Sequence, residues 1–235
     1  MLSNSWLATI ITFILALAWL RLNDFFAVRG WISSNLSRKI IHMGTGPIFV
    51  LCWLLYPEDL LSRYLAALVP LAITIQFFLV GIGLIKDKAA VEAMSRTGER
   101  REILRGPLFY GIIFVVLTVI YWKDSPIGIV ALMLLCGGDG LADVLGSRMQ
   151  SGSLPWSSRK TIIGTASMFF GGLIFTMVII GVYISFNVFP GDLIRYLLPV
   201  TIISIIGTAV ESLPLADLDN LTVPAVAVIM GHILF

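Results

Sequence analysis

Apolar runs of near-spanning length alternate along this chain with short polar segments. The runs fall at about 5–22, 40–57, 64–85, 107–122, 126–147, 162–187, 194–211 and 221–235. A helix needs roughly 20 residues, within a range of about 17–25, to cross the hydrocarbon of a bilayer. The pattern therefore predicts an all-α fold, a polytopic integral membrane helix bundle with about eight transmembrane helices. The second, fourth and last runs are short, so seven spans with one re-entrant piece is the alternative. The runs are continuous and lack the alternation of a membrane barrel over roughly ten residues, so spanning strands are not expected. No internal repeat or low-complexity tract divides the chain, which reads as a single domain over 1–235.

Composition agrees with this reading. Hydrophobic residues make up 58% of the chain and charged residues only 13%, against roughly 25% charged in soluble domains. Too few polar side chains are present to cover a water-facing surface of this size. The loops after the odd-numbered runs hold 13 of the 16 basic residues, and only Arg63, Lys123 and Arg195 lie in the others. By the positive-inside rule, odd spans run outward to inward, both termini lie outside, and the loops rich in basic residues lie on the cytoplasmic face. The net charge of +2 is spread singly or in pairs, so no nucleic-acid partner is expected. Cys52 and Cys136 sit inside apolar runs, outside any metal-ligand spacing, and read as small buried hydrophobes. The run from Trp6 to Leu20 lacks a basic n-region and a small-x-small cleavage site. It reads as the first span, and no transit peptide is expected before it. The mixed-sign stretch 86–106 reads as an interfacial helix or ordered loop on the cytoplasmic face.

The chemistry concentrates on that face. Gly137-Gly138-Asp139-Gly140-Leu141-Ala142-Asp143-Val144-Leu145-Gly146 closes the fifth run. On a helix, Asp139 and Asp143 project from one face, and Ala142 and Gly146 leave room there for a ligand or another helix. Two carboxylates one turn apart repel, and a cation between them removes that cost. Mg²⁺ typically uses one or two carboxylates plus substrate phosphates. Snorkelled interfacial acids are the bland alternative, although carboxylates at membrane depth are costly and usually functional. Arg159-Lys160-Thr161-Ile162-Ile163-Gly164-Thr165 opens the sixth run as a candidate phosphate cradle at a helix N-terminus. As membrane anchors alone, Arg159 and Lys160 need no other explanation; their place beside the Asp pair gives them meaning. The loop from Glu211 to Pro224, with Asp217, Asp219 and Asn220, has no Lys or Arg. It suits metal coordination or proton abstraction, or is a solvated turn. Arg38-Lys39-Ile40-Ile41-His42 opens the second run, with Arg38 and His42 four apart on one helical face and His42 either functional or a packing residue. Arg100, Arg101 and Arg105 open the fourth, as sites for polyphosphate or for lipid head groups. Acids for a metal with cations for phosphate is the pattern of phosphoryl or nucleotidyl transfer. No Walker-type or kinase-like Gly-rich loop occurs, so a nucleotide must bind at the membrane surface.

Three motifs in order carry a resemblance: Gly138-Asp139-Gly140-x-Ala142-Asp143-x-x-Gly146, Arg159-Lys160-Thr161-x-x-Gly164-Thr165 and Asp219-Asn220-Leu221-Thr222-Val223-Pro224. Together they resemble the CTP-dependent polyprenol kinase family, which includes dolichol, phytol and farnesol kinases. The stretch from Ser95 to Tyr110 and the compact length are similar to phytol kinases in particular. The resemblance implies a membrane kinase of isoprenoid and tocopherol metabolism, in a cyanobacterial or plastid membrane. It would move phosphate from CTP, or UTP, to a prenyl alcohol entering laterally from the bilayer. On that reading Asp139 and Asp143 hold Mg²⁺, and Arg159 and Lys160 neutralise the phosphates. Asp219 or Glu211 takes the alcohol proton, Asn220 positions, and His42 is the alternative base. Thr161, Gly164, Arg38, Lys39 and Arg101 complete the nucleotide side. The oligomeric state is left open.

Other classes fit less well. A CDP-alcohol phosphotransferase wants Arg where Asp143 stands, and its downstream acids are missing. A phosphatidate cytidylyltransferase is disfavoured by the short chain and the stretch at 95–110. An intramembrane aspartyl protease needs Gly-x-Gly-Asp where Cys136-Gly137-Gly138-Asp139 stands. A transporter would want charges near mid-membrane rather than at one face.

Overall fold

The computed structural model describes residues 2–95, 98–214 and 218–235 of the chain. In chain order the helices are α1 (Ser5–Val28), α2 (Ser34–Cys52), α3 (Leu60–Ile82), a short α4 (Lys88–Met94), α5 (Gly106–Ile120), α6 (Pro126–Met133), α7 (Asp139–Arg148), α8 (Ile162–Ser185), α9 (Leu193–Glu211) and α10 (Asp219–Leu234). A π-helical turn, Leu134–Gly138, joins α6 to α7, so all eight predicted runs are helical. Among the described residues, six stretches are long and apolar enough to cross a membrane by length and composition: α1, α3, Arg100–Ile120, Pro126–Arg148, α8 and α9. The remaining two are α10, apolar but with 16 residues, and α2, with 19 residues and Arg38, Lys39 and His42 in its first half. The chain is a polytopic helical membrane protein.

The chain packs as two compact units. The first takes residues up to Ile41 together with Leu55–Ile120, and the second takes His42–Leu54 and Tyr121–Phe235. In the first unit, Asn4 caps α1 by accepting from the Trp6 backbone N–H at 2.8 Å. Asp59 caps α3 by accepting from the Ser62 N–H at 2.7 Å, and it also accepts from the Ser5 hydroxyl at 2.8 Å. One carboxylate thus satisfies an open helix end and ties α1 to α3. The polar stretch after α3 forms α4 and a 3-10 turn at Arg100–Leu104 that buries Ile103 completely. The Arg38 guanidinium donates to the Ser95 carbonyl at 2.8 Å, joining α2 to this stretch. Arg96 and Thr97, part of the 95–110 similarity, lie outside the described residues.

The core of the second unit is the rod α6–π–α7. Its central window is 78% buried, against 17% for α1. An apolar helix enclosed by protein and one facing lipid have the same composition, so only packing distinguishes them. Around the rod, α8 lies against the π turn and α7, α9 packs on α8, and α10 packs on α6 and α9. Small residues permit the closest approaches: a Cβ on Gly146 would stand 3.0 Å from the Gly164 Cα. The room expected beside Asp139 and Asp143 is thus occupied by α8. Ser153–Leu154 (β1) pairs antiparallel with Ser157–Thr161 (β2) across a Pro155-Trp156 turn. This hairpin carries Arg159 and Lys160, which the sequence had suggested at the start of the sixth span. Thr161 is the N-cap of α8, accepting from the Gly164 N–H at 3.1 Å, so the helix begins only beyond the two cations.

Candidate active site

Within the second unit, three chain segments converge at the Lys160 ammonium. Side chains alternate along a strand, so Arg159 is exposed while Lys160 turns inward. Its Nζ donates to Glu211 Oε1, on the last residue of α9, and to Asp219 Oδ2, on the first residue of α10, at 2.8 Å for the latter. Glu211 is only 3% exposed. Burial opposes the Lys160 charge, but the two carboxylates outweigh it and hold its pKa above the usual lysine value. Asp219 also favours the positive end of the α10 dipole. The outer oxygens, Glu211 Oε2 and Asp219 Oδ1, are buried with no hydrogen-bond partner among the described residues.

A second pair adjoins the cluster. His42, on α2, places Nε2 at 3.3 Å from Asp139 Oδ2 and 3.2 Å from the Leu135 carbonyl. That carbonyl belongs to the π turn, a helix distortion that recurs at functional sites. A Cβ on Gly140 would lie 3.0 Å from the Met43 Cβ, so glycine lets α2 press against the start of α7 here. Asp139 in turn lies within Coulombic range of Glu211. Glu211 therefore senses the charges of Asp139 and Asp219 as well as that of the Lys160 cation. Among the described residues, no group of three or more His, Cys, Asp or Glu could hold a metal alone. A divalent ion fits this donor set only if substrate oxygens complete its shell, which is how Mg²⁺ on a nucleotide is held.

The remaining candidates are distributed as follows. Asp143 is exposed one turn beyond Asp139 on α7, Thr161 and Gly164 form the first turn of α8, and Asn220 follows Asp219 on α10. Arg38, Lys39 and Arg101 belong to the first unit; Lys39 is buried and Arg101 exposed. Asp217 lies outside the described residues. Sequence reasoning missed two contributors. The Leu135 carbonyl carries no sequence signal. Trp156 donates from its indole to the Ser212 carbonyl at 3.2 Å, holding the hairpin against the end of α9. A lone Trp after Pro155 in a polar loop was the available clue.

No family model matches the chain, and no solved structure matches it. Among curated proteins it is similar to a probable phytol kinase 3, chloroplastic, of Glycine max, 36% identical over 229 residues, which cover 97% of this chain and 72% of that protein. It is 34% identical over 209 residues to phytol kinase 1, chloroplastic, of Arabidopsis thaliana, covering 88% of this chain and 69% of the relative. It is 35% identical over 212 residues to farnesol kinase, chloroplastic, of the same plant, covering 88% and 68%. With these relatives aligned along most of its length, the chain belongs to the phytol and polyprenol kinase family.

Proposed function

We propose that this chain is a membrane prenol kinase, transferring the terminal phosphate of CTP, or of UTP, to a prenyl alcohol such as phytol or geranylgeraniol. The observation that carries this reading is the Lys160–Glu211–Asp219 cluster at the ends of apolar helices, in a chain whose relatives are named phytol and farnesol kinases. Such a cluster combines a cation for phosphate with carboxylates that accept a proton. It does so where an alcohol dissolved in the bilayer would present its polar end.

In the proposed reaction the alcohol oxygen attacks the terminal phosphorus. The bond from that phosphorus to its bridging oxygen breaks, and the nucleoside diphosphate leaves with the bonding pair. The alcohol proton passes to Glu211 or Asp219, with His42 as the alternative acceptor. Lys160 exchanges part of its pairing with the acids for phosphate oxygens, and Arg159 adds a second cation. The Thr161–Gly164 turn and Asn220 position the nucleotide. Mg²⁺ held by Asp139 and Asp143 would neutralise charge on the triphosphate. Positioning and charge stabilisation supply most of the catalysis. The distribution of basic residues supports a cytoplasmic or stromal active face with both termini opposite. The chloroplastic names of the relatives support a plastid or cyanobacterial membrane. On this reading the whole of 1–235 acts as one kinase domain, with 86–106 at the active face.

The test is product formation by purified, detergent-solubilised protein, with CTP, UTP, ATP and GTP each offered against phytol, farnesol, geranylgeraniol, dolichol and diacylglycerol. A prenyl monophosphate formed from CTP or UTP is the expected product. Pyrophosphate with a CDP-lipid, or no nucleotide-dependent product, overturns the reading. In the same assay Asp139→Asn should cut turnover at least about a hundredfold at saturating nucleotide and raise the Mg²⁺ concentration needed for half-maximal rate. Unchanged Mg²⁺ dependence would remove Asp139 from the metal site.

A further inference from the structure

A groove of about 370 Å³ runs along the packed pair α8 and α9, lined by Leu154, Ile162, Thr165, Ala166, Phe169, Ile205 and Thr208. Its α8 members recur at helical spacing, as do Ile205 and Thr208, so one face of each helix forms a wall. Ile162 and Ile205 are more than half exposed, at 57% and 54%, so the groove opens sideways toward lipid. Five of the seven side chains are apolar. The other two are threonines whose hydroxyl oxygens, Thr165 Oγ1 and Thr208 Oγ1, are buried without a hydrogen-bond partner among the described residues, with Thr208 only 9% exposed. Buried hydroxyls left unpaired cost free energy that a polar ligand atom can recover. Glu211, with its own unpaired Oε2, lies three residues beyond Thr208 on α9, and Lys160 lies two residues before the groove begins on α8.

We propose that this groove binds the acceptor alcohol. The prenyl chain lies along Phe169, Ala166 and Ile205, and the hydroxyl meets Thr208 and Thr165 one turn from Glu211. The occupant follows from the lining: an amphiphile with a long apolar body and one small, uncharged polar end. A phospholipid acyl chain brings no hydroxyl to the two threonines, and the lining has no charge to hold its head group. The assignment rests on the prenol kinase reading above and adds to it the substrate's path and the residues that select it.

The test uses the full chain in phosphatidylcholine nanodiscs and a geranylgeraniol analogue bearing a diazirine, with labelled sites mapped by peptide mass spectrometry. Label is expected on peptides containing 154–169 and 205–208, suppressed by excess phytol and not by excess phospholipid. Ala166→Trp and Ile205→Trp, which fill the groove, should reduce labelling and raise the acceptor KM about fivefold or more, leaving the nucleotide KM unchanged. Ile174→Trp, on α8 outside the groove, should do neither. Thr208→Val should lower kcat/KM for the alcohol about five- to tenfold. Label elsewhere, equal displacement by phospholipid, or unaltered acceptor KM in both Trp variants overturns the groove even in an active kinase. Phytol-sensitive label in the groove without product from any nucleotide supports the groove and removes the kinase reading instead.

Discussion

Lys160→Met is expected to lose about 3 kcal/mol or more of folding stability and to leave less than about 1% of wild-type prenol phosphorylation. The reason is local. The Lys160 ammonium lies between Glu211 and Asp219, and Glu211 is almost fully buried. Removing it leaves two carboxylates facing each other with no cation, which is worse than having no charges there. Thermal unfolding in detergent measures the loss. Neutralising the acids as well, in the triple variant with Glu211→Gln and Asp219→Asn, should restore most of the stability and none of the activity. If the single and triple variants unfold alike, Lys160 acts through packing of its stem and the charge argument fails. The alkaline limb has a definite sign. Burial works against the ammonium, but Glu211 and Asp219 hold its pKa above the ordinary lysine value of 10.5. Its contribution is therefore complete below about pH 10.5 and is lost only as pH rises through the higher folded value. Wild-type protein that sheds this stability between pH 7 and 9 would contradict the pairing.

Glu211→Gln is expected to lower kcat by about 10²- to 10⁴-fold, with the nucleotide KM changed far less. Glutamine keeps the shape of the side chain and an oxygen for Lys160, but it cannot take a proton from the alcohol. Glu211 is preferred over Asp219 because it is the more deeply buried of the two and lies three residues beyond Thr208 on the same helix. Steady-state kinetics with CTP and phytol decide the point. If Glu211→Gln retains kcat within about threefold while His42→Gln loses it, the proton acceptor is His42 and the cluster at Lys160 serves binding alone.

Much of the architecture was legible from hydropathy because a bilayer imposes one length on every helix that crosses it. The run marked at 126–147 is the rod Pro126–Arg148, and the run at 162–187 is α8, Ile162–Ser185. The chemical vocabulary was legible too, since charged residues are too costly in hydrocarbon to be scattered. Asp139, Lys160, Glu211 and Asp219 therefore stand out against an apolar background. The π turn before Asp139 was not legible, because the run from Pro126 to Gly138 has no polar side chain and so no phase for one extra residue to shift. The hairpin that turns Lys160 inward was also missed. Its short polar strands have no alternation to read, and their pairing depends on the Pro155-Trp156 turn.

By itself, the sequence determined which segments are helical, that the protein belongs in a membrane, and which few side chains carry chemistry, because lipid penalises every polar group and limits the options. The tertiary structure alone decided the partners: Lys160 with acids 51 and 59 residues away, His42 with Asp139, and the threonines with an apolar groove. Helix faces that line a site and faces that meet lipid have the same composition, and only the packing of one helix against the next separates them.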